Sequence, residues 1–429
     1  MKKNGNLAGK RLLILGHPVG TEDIVKYANE CGVYTIVADW FETSPAKEIA
    51  NESFLISTTD IDSLTDLAKN KKVDAVTGGI SDFNFGVALE ISERLGLPFY
   101  ANRKQWELTS NKRQFKQLCR TFNIPVIPEF RIDGSFSQEQ IEKVVFPVFV
   151  KPVDSAASKG ASVCKNIDEL KLAYQNAVSH SPSKSVLAEK YIENMRDINL
   201  FYTVQNGEYS IAAMCDRYLT YEQGEKYAPL PIAYIFPSLH LNSFISKHHD
   251  NIVSMCKSIG IENGRFDFCG FTNGEEFYFY EMSYRLGGTQ EWILTEHVNG
   301  INALKLMVNH ALTGEMGTVK ASELNKPEFH KPCCELKYPL KPGIIGRVVG
   351  IEDISKMPGV IKIHFRRKLG DNIVLTGSLH QIFLGVHICA DDYNQLSELI
   401  RKVNDLLVIK SNTGEDMRME RFYYSSDNL

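Results

Sequence analysis

Two acidic residues stand in apolar segments of this chain and need a positive partner. Asp267 lies between two phenylalanines and Glu281 between a tyrosine and a methionine, in runs that are typical of β-strands. An unpaired charge is costly to bury. Mg²⁺ held by one or two carboxylates and by nucleotide phosphates would neutralise both acids. A structural ion pair with Arg265 or Arg285 is the alternative.

A lysine followed by small and hydroxyl residues offers a site for phosphate. Lys151 ends an apolar strand, and backbone N–H groups of the loop up to Ser162 can surround phosphate oxygens. The chain has neither the G-x-x-x-x-G-K-[ST] loop nor the G-x-G-x-x-G fingerprint, so a nucleotide must be bound in another way. A strand that ends in a solvated lysine is the plainer interpretation.

A third candidate segment begins at Val186 and contains Glu189, Lys190, Tyr191 and Ile192. The Glu189 carboxylate is suited to accept an adenine amino group. Backbone groups of Lys190 and Ile192 are suited to the edge of the ring. Taken alone, the segment also fits an ordinary charged strand end.

The pattern of apolar runs predicts three domains. Strands alternate with helices over residues 1–102, which indicates a parallel sheet covered on both faces. One amphipathic helix is predicted over Gln105–Phe122, followed by a mixed α+β region to residue 316. In that region Asn273-Gly274 predicts a hairpin turn between strands Gly264–Phe271 and Glu276–Met282. Glycine-rich turns predict a β-rich domain over residues 325–429.

The order of these motifs resembles the ATP-grasp superfamily over about residues 10–315. The resemblance implies an α/β and α+β protein: a Rossmann-like N-terminal domain, an ATP-grasp domain over 103–316 with a nucleotide lid at about 125–203, and a β-rich C-terminal domain. Within the superfamily, the loop 152–160 and the ending Arg285-Leu-Gly-Gly288 look most like L-amino acid ligases. The motifs that carry the resemblance are Asn111-Lys112 with Phe115-Lys116, Lys151-Pro152 and its loop, Glu189 to Ile192, Asp267, and Glu281 to Gly288.

The resemblance also implies ATP and Mg²⁺, or Mn²⁺ in its place, as cofactors. The residues expected to bind ATP are Lys112, Lys151, Ser155, Ser158, Gly160, Glu189, Lys190, Tyr191, Ile192 and Asp197, with Asn199 as an alternative ribose contact. The expected metal ligands are Asp267, Glu281 and Ser283, although the superfamily usually has asparagine at the position of Ser283.

Two residues are expected to be catalytic. Lys159 would lie on the lid over the γ-phosphate, and Arg285 would stabilise the acyl phosphate and the tetrahedral intermediate. Gly287, Gly288 and Glu291 are expected to line the substrate pocket, with Glu291 accepting the ammonium group of an amino acid. The alternative is that Glu291 only opens the next helix, where the helix dipole favours a carboxylate.

The expected reaction is ATP-dependent amide or peptide bond formation between a carboxylate and an amine. One alternative is an enzyme that activates bicarbonate or formate, as in carbamoyl-phosphate synthesis, purine synthesis or biotin carboxylase. A nucleotide-binding module without catalysis is the other alternative.

Composition narrows the set of partners. The formal net charge of −4 argues against nucleic acid, and no apolar run is long enough for a membrane span. Nine scattered cysteines without a C-x-x-C pair are typical of reduced thiols and predict a cytoplasmic protein. A metal site at His330, Cys333 and Cys334 is disfavoured because adjacent cysteines chelate one ion poorly. Small-molecule substrates are the expected partners, and a homodimer is left open.

Overall fold

The computed structural model describes residues 7–17, 19–154, 160–224 and 227–425. The chain begins with a parallel sheet in the strand order β3-β2-β1-β4. This part confirms the predicted Rossmann-like domain. Its elements are β1 (Arg11–Leu15), α1 (Thr21–Glu30), β2 (Tyr34–Asp39), α2 (Pro45–Ile49), β3 (Glu52–Leu55), α3 (Ile61–Asn70), β4 (Ala75–Thr77) and α4 (Asp82–Leu95).

Two helices, α5 (Arg103–Ser110) and α6 (Lys112–Thr121), follow this domain. The single helix predicted over Gln105–Phe122 is therefore wrong. Asn111 has an extended ψ of 111°, and its side chain accepts hydrogen bonds from the N–H groups of Arg113 and Gln114. Asparagine is favoured at such an N-cap because its side chain satisfies N–H groups that lack a helical partner. The break places Lys112 at the first position of α6.

A small antiparallel sheet forms next, which we call the lid sheet. Its strand order is β5-β8-β6-β7, and α8 packs against it through an apolar core. The elements are β5 (Glu129–Phe130), α7 (Gln138–Ile141), β6 (Val148–Pro152), β7 (Ser162–Cys164), α8 (Ile167–His180) and β8 (Val186–Lys190).

The largest sheet, called here the central sheet, has eight strands in the order β13-β12-β9-β10-β11-β14-β18-β16. The hairpin predicted at Asn273-Gly274 is confirmed as β12 and β13. The elements of this region are β9 (Arg196–Gln205), β10 (Glu208–Thr220), β11 (Leu230–Phe236), α9 (Leu241–Ser258), β12 (Gly264–Thr272), β13 (Phe277–Ser283), α10 (Trp292–Asn299), α11 (Ala303–Thr313) and α12 (Ala321–Leu324).

The remaining residues extend the central sheet and add a small one. Strand β14 pairs with β11, so three C-terminal strands continue the central sheet, while β15, β17 and β19 form a separate sheet. The elements are β14 (Cys333–Pro339), β15 (Gly343–Val349), α13 (Ile351–Ser355), β16 (Val360–Phe365), β17 (Asn372–Ile373), a 3₁₀ turn (Leu379–Gln381), β18 (Ile382–Cys389), α14 (Tyr393–Leu406) and β19 (Val408–Ser411). Among the described residues, no helix is long and apolar enough to cross a membrane.

Candidate active site

Three segments of the chain converge on a cleft between the lid sheet and the β12–β13 hairpin. The Lys151 ammonium, at the end of β6, lies 5.5 Å from the centre of the Tyr280 ring on β13. The Lys112 Nζ, at the start of α6, lies 3.7 Å from Glu281 Oε2. Two lysines and one carboxylate predicted from the sequence therefore meet in this cleft.

A fully buried carboxylate organises the lid side of the cleft. Glu189 on β8 and Lys116 on α6 are both 0% exposed and form an ion pair. Lys151 Nζ lies 2.8 Å from the other oxygen, Glu189 Oε2. Burial favours the neutral acid, but Lys151 and Lys116 outweigh it and lower the pKa of Glu189. The three residues therefore form a charged network inside the protein.

This network corrects the predicted adenine contacts. The Glu189 carboxylate is occupied by two lysines, so its geometry does not support acceptance of an adenine amino group. The Lys190 N–H donates to the carbonyl of Pro128 at 2.9 Å, and the Tyr191 N–H donates to Pro147 at 3.1 Å. A contact between Ile192 and the ring edge remains a prediction.

The hairpin places the two predicted metal-binding acids in different surroundings. Asp267 stands opposite Ser283, while Glu281 stands opposite Cys269. All four share one face, because residues two apart on a strand point the same way. Asp267 is buried and ion-paired with Arg265, whereas the Glu281 side chain is 39% exposed. Of these two acids, Glu281 is thus the accessible one. Asp267 forms the structural ion pair with Arg265 that was the alternative to metal binding.

Arg265 joins Asp267 to a second buried acid. Its Nε donates to Glu291 Oε1 at 2.7 Å, and the guanidinium is 0% exposed. Glycine is required at position 287 beside these ion pairs, because a Cβ at Gly287 would lie 2.6 Å from Asp267 Oδ2. The prediction that Glu291 accepts a substrate ammonium is not supported, since the carboxylate is buried and paired. Its burial raises the pKa of Glu291 to about 7, although Arg265 opposes the shift.

Arg285 is held by the N-terminal domain. Its Nε and Nη2 donate to the two carboxylate oxygens of Asp82, each at 2.5 Å, and Nη1 donates to the Leu286 carbonyl at 2.9 Å. Asp82 is the first residue of α4. The two-pronged contact fixes the end of the hairpin against the parallel sheet, so the catalytic role predicted for Arg285 remains a prediction.

The two candidate ribose contacts lie side by side on β9. Asp197 is ion-paired with Arg217, and the Tyr280 hydroxyl donates to it at 3.4 Å. The buried Asn199 Oδ1 has no hydrogen-bond partner among the described residues. Asn199 therefore has the free acceptor, whereas the Asp197 carboxylate is already engaged.

The structure describes only some of the remaining predicted residues. Ser155, Ser158 and Lys159 lie outside the described residues. Gly160 has a φ of +75°, and a Cβ there would lie 2.8 Å from the His180 Cβ, so glycine is required. The Gly288 carbonyl accepts a hydrogen bond from Arg366 Nη2 at 3.0 Å. The contacts of Lys116, Arg366 and Asp82 were not predicted from the sequence, although Lys116 belongs to the motif that begins at Asn111.

Part of this chain is similar in sequence to known proteins. Residues 111–318 match the family described as carbamoyl-phosphate synthase L chain, ATP binding domain. Formate-dependent phosphoribosylglycinamide formyltransferase from Prochlorococcus marinus is 27% identical over 43% of this chain and 48% of its own. The same enzyme from Wolinella succinogenes is 22% identical over 75% and 86% of the two chains. The chain spans about half the length of the first of these relatives.

Solved structures show the same fold. The L-amino acid ligase from Bacillus licheniformis has a TM-score of 0.74 at 16% identity, covering 94% of this chain and 99% of that one. The biotin carboxylase domain of Hydrogenobacter thermophilus 2-oxoglutarate carboxylase, a dimer in complex with MgADP and bicarbonate, has a TM-score of 0.77 at 18% identity, covering 96% and 91%. The chain therefore has the predicted ATP-grasp fold, and residues 111–318 are similar to the ATP-binding domain of the carbamoyl-phosphate synthase L chain. The predicted amino acid ligase branch is one structural likeness among several.

Replacing Lys116 with methionine tests the buried network. The change keeps an unbranched side chain but leaves the Glu189 carboxylate with Lys151 alone. Breaking a buried ion pair costs about 3–5 kcal/mol, so we expect a loss of that size in the free energy of urea unfolding. Lys171→Met, on an exposed position of α8, is the control and should change little. Equal losses in the two variants would contradict the account.

Glu291 predicts a dependence of stability on pH. Because folding raises the pKa of this acid from 4.5 to about 7, the folded state binds the proton more tightly than the unfolded state. Stability is therefore lost as the pH rises from about 4.5 to about 7, by up to about 3 kcal/mol. Glu291→Gln should flatten this slope in urea unfolding, whereas Glu296→Gln on the same helix should keep it. An unchanged pH dependence of the unfolding free energy in Glu291→Gln would contradict the raised pKa of Glu291.

Proposed function

We propose that this protein uses MgATP to activate a small carboxylate as an acyl phosphate and transfers the acyl group to an amine. The observation that carries the proposal is the convergence of Lys112, Lys151 and the accessible Glu281 on one cleft. Fixed ammonium groups and a carboxylate with bound metal are what phosphoryl transfer needs, because catalysis consists mainly of positioning and charge neutralisation.

The residues of the cleft fit a bound magnesium nucleotide. Mg²⁺ keeps several waters and is bound by one or two protein carboxylates besides the phosphates. The exposed Glu281 carboxylate is the first candidate ligand. Ser283 lies two residues further on the same face, and Asp267, whose Oδ1 is paired with Arg265, has Oδ2 left to join the metal. Mg²⁺ supplies charge neutralisation at the phosphates when bound. Lys112 and Lys151 would contact the phosphate oxygens of this nucleotide.

The substrate end of the cleft lies past Arg285. Gly287 and Gly288 turn the chain there, and the Gly288 carbonyl is fixed by Arg366. Arg285 stabilises the oxygens of the acyl phosphate if its contact with Asp82 opens or is shared with the substrate. This role rests on the position of Arg285 two residues beyond Ser283, the last residue of β13.

The nature of the carboxylate follows from two arguments. The relatives from Prochlorococcus and Wolinella are formate-dependent enzymes by name, and the biotin carboxylase domain with the same fold is a complex with bicarbonate. In this chain, the Glu291 carboxylate is buried and its Oε1 is held by Arg265, so its unpaired Oε2 is not exposed to the ammonium of an amino acid. We therefore favour formate or a similarly small carboxylate. An amino acid is the second candidate, supported by the likeness to L-amino acid ligase over 99% of that structure.

The metal role of Glu281 is tested by removing its charge. Glu281→Gln should abolish turnover and weaken nucleotide binding in the presence of Mg²⁺ much more than in its absence. Asp267→Asn should mainly lower the unfolding free energy, because it breaks the pair with Arg265. Glu276→Gln, at an exposed position of the same hairpin, is the matched control. If Glu281→Gln leaves the Mg²⁺ dependence unchanged, the metal is held elsewhere.

A substrate panel tests the proposed reaction. Phosphate release from ATP is measured with formate, bicarbonate, an L-amino acid and its deaminated analogue, each offered with a set of amines. We expect release with formate or bicarbonate, and no preference for the amino acid over its analogue. Phosphate release that requires the amino acid would instead indicate an L-amino acid ligase. ATP binding without release in any mixture would indicate a nucleotide-binding module.

A further inference from the structure

A cluster of buried ligand atoms lies outside the nucleotide cleft, on the C-terminal strands of the central sheet. Glu335 on β14 stands directly opposite His387 on β18, and His364 follows on the neighbouring strand β16. Their side chains are 0%, 0% and 7% exposed, respectively. One donor atom from each residue lies within 4.8 Å of the other two.

The hydrogen bond of His387 fixes which ring nitrogen is free. His387 Nε2 lies 3.3 Å from the carbonyl oxygen of Thr289, which can only accept, so Nε2 carries the proton. Nδ1 then presents a bare lone pair, and it is buried without a hydrogen-bond partner among the described residues. A histidine that binds a metal commonly donates its other N–H to a backbone carbonyl in this way.

Glu335 and His364 also present unused donor atoms. Lys337 Nζ lies 2.5 Å from Glu335 Oε1, which orients the carboxylate and leaves Oε2 buried and unpaired. His364 Nε2 lies 3.6 Å from Glu335 Oε1, and neither ring nitrogen of His364 has a hydrogen-bond partner in the described chain. Unpaired buried polar atoms are costly, so three residues with such atoms facing one another need an explanation.

Gly385 on β18 makes the cluster sterically feasible. A Cβ at this position would lie 2.3 Å from His364 Cε1 and 3.2 Å from Glu335 Oε1. The imidazole therefore occupies the space above the glycine, between β16 and β14. Any larger residue would push His364 away from Glu335.

We propose that Glu335, His364 and His387 bind a divalent transition-metal ion of the Zn²⁺ class. Two imidazoles and one carboxylate form a known ligand set for such ions, and they leave coordination positions open. Mg²⁺ is a poor occupant because it prefers oxygen ligands. The site is separate from the magnesium nucleotide of the cleft, and His387 links it to the Thr289 carbonyl in the turn after β13.

Two cationic side chains, those of Lys337 and Arg366, lie beside the proposed metal site and favour an anionic ligand. Lys337 contacts Glu335. Arg366 is half-buried, and its Nη2 donates to the Gly288 carbonyl. Its buried Nε has no hydrogen-bond partner among the described residues. With one carboxylate against two cations, a divalent ion adds positive charge that the protein does not balance. A small anion that binds together with the ion would restore the balance. The inferred site therefore takes the ion together with an anionic ligand.

The test titrates metal-free protein with Co²⁺ in the absence of nucleotide. We expect visible absorption that saturates at one ion per chain and is displaced by Zn²⁺, with tighter binding when a carboxylate anion is added. His364→Gln, His387→Gln and Glu335→Gln should each lose more than the roughly 10–100-fold in affinity that removal of a second-shell partner costs. Unchanged binding in all three variants, or no binding to the wild-type protein, would overturn the proposal.

The controls separate this site from the nucleotide cleft and from misfolding. His330→Gln, at an exposed position before β14, and Glu281→Gln should bind Co²⁺ as the wild type does. Loss of binding in Glu281→Gln would mean that the titration reports the nucleotide site. If the ligand variants do not fold, X-ray absorption of zinc bound to wild-type protein decides, because scattering from two imidazoles is required. A spectrum without imidazole ligands would refute the assignment.

Discussion

The structure depends on a carboxylate that has been removed from water. Glu189 lies at the end of lid strand β8 with no exposed surface, and it is kept charged by Lys116 from α6 and Lys151 from β6. A lone buried charge would destabilise the lid by several kcal/mol, whereas the paired one links the lid sheet to the helix beneath it. Because Lys112 begins that same helix, one network sets the positions of both lysines that face the cleft.

Other ion pairs fix the opposite wall of the cleft. Arg265 connects Asp267 to Glu291, and Arg285 connects the end of β13 to Asp82 in the N-terminal domain. These contacts engage Arg265, Asp267 and Arg285. Glu281 keeps an exposed carboxylate close to Lys112. The proposed chemistry depends on this difference between charged groups that are paired within the protein and charged groups that are accessible to a ligand.

The sequence predicts those features that depend on neighbouring residues. The parallel sheet follows from alternating apolar runs, and the β12–β13 hairpin follows from Asn273-Gly274. The break at Asn111 was missed because the helical pattern continues through it and only the cap geometry reveals it. Pairs such as Arg285 with Asp82, which are 203 residues apart, leave no spacing signal. The ion pair of Glu291 was missed for the same reason, since its partner Arg265 lies on another element. The cluster of Glu335, His364 and His387 spans three strands and becomes visible only when the sheet is assembled.

The central claim is that the cleft transfers a phosphoryl group from ATP to a carboxylate oxygen. The most direct measurement uses a carboxylate labelled with ¹⁸O in both oxygens, together with ATP, Mg²⁺ and the amine that supports turnover. When the amine displaces phosphate from an acyl phosphate, one carboxylate oxygen leaves with the phosphate. Mass spectrometry should therefore find ¹⁸O in the released phosphate in proportion to the product formed. Product formation with unlabelled phosphate would contradict the acyl-phosphate mechanism and the function proposed for this protein.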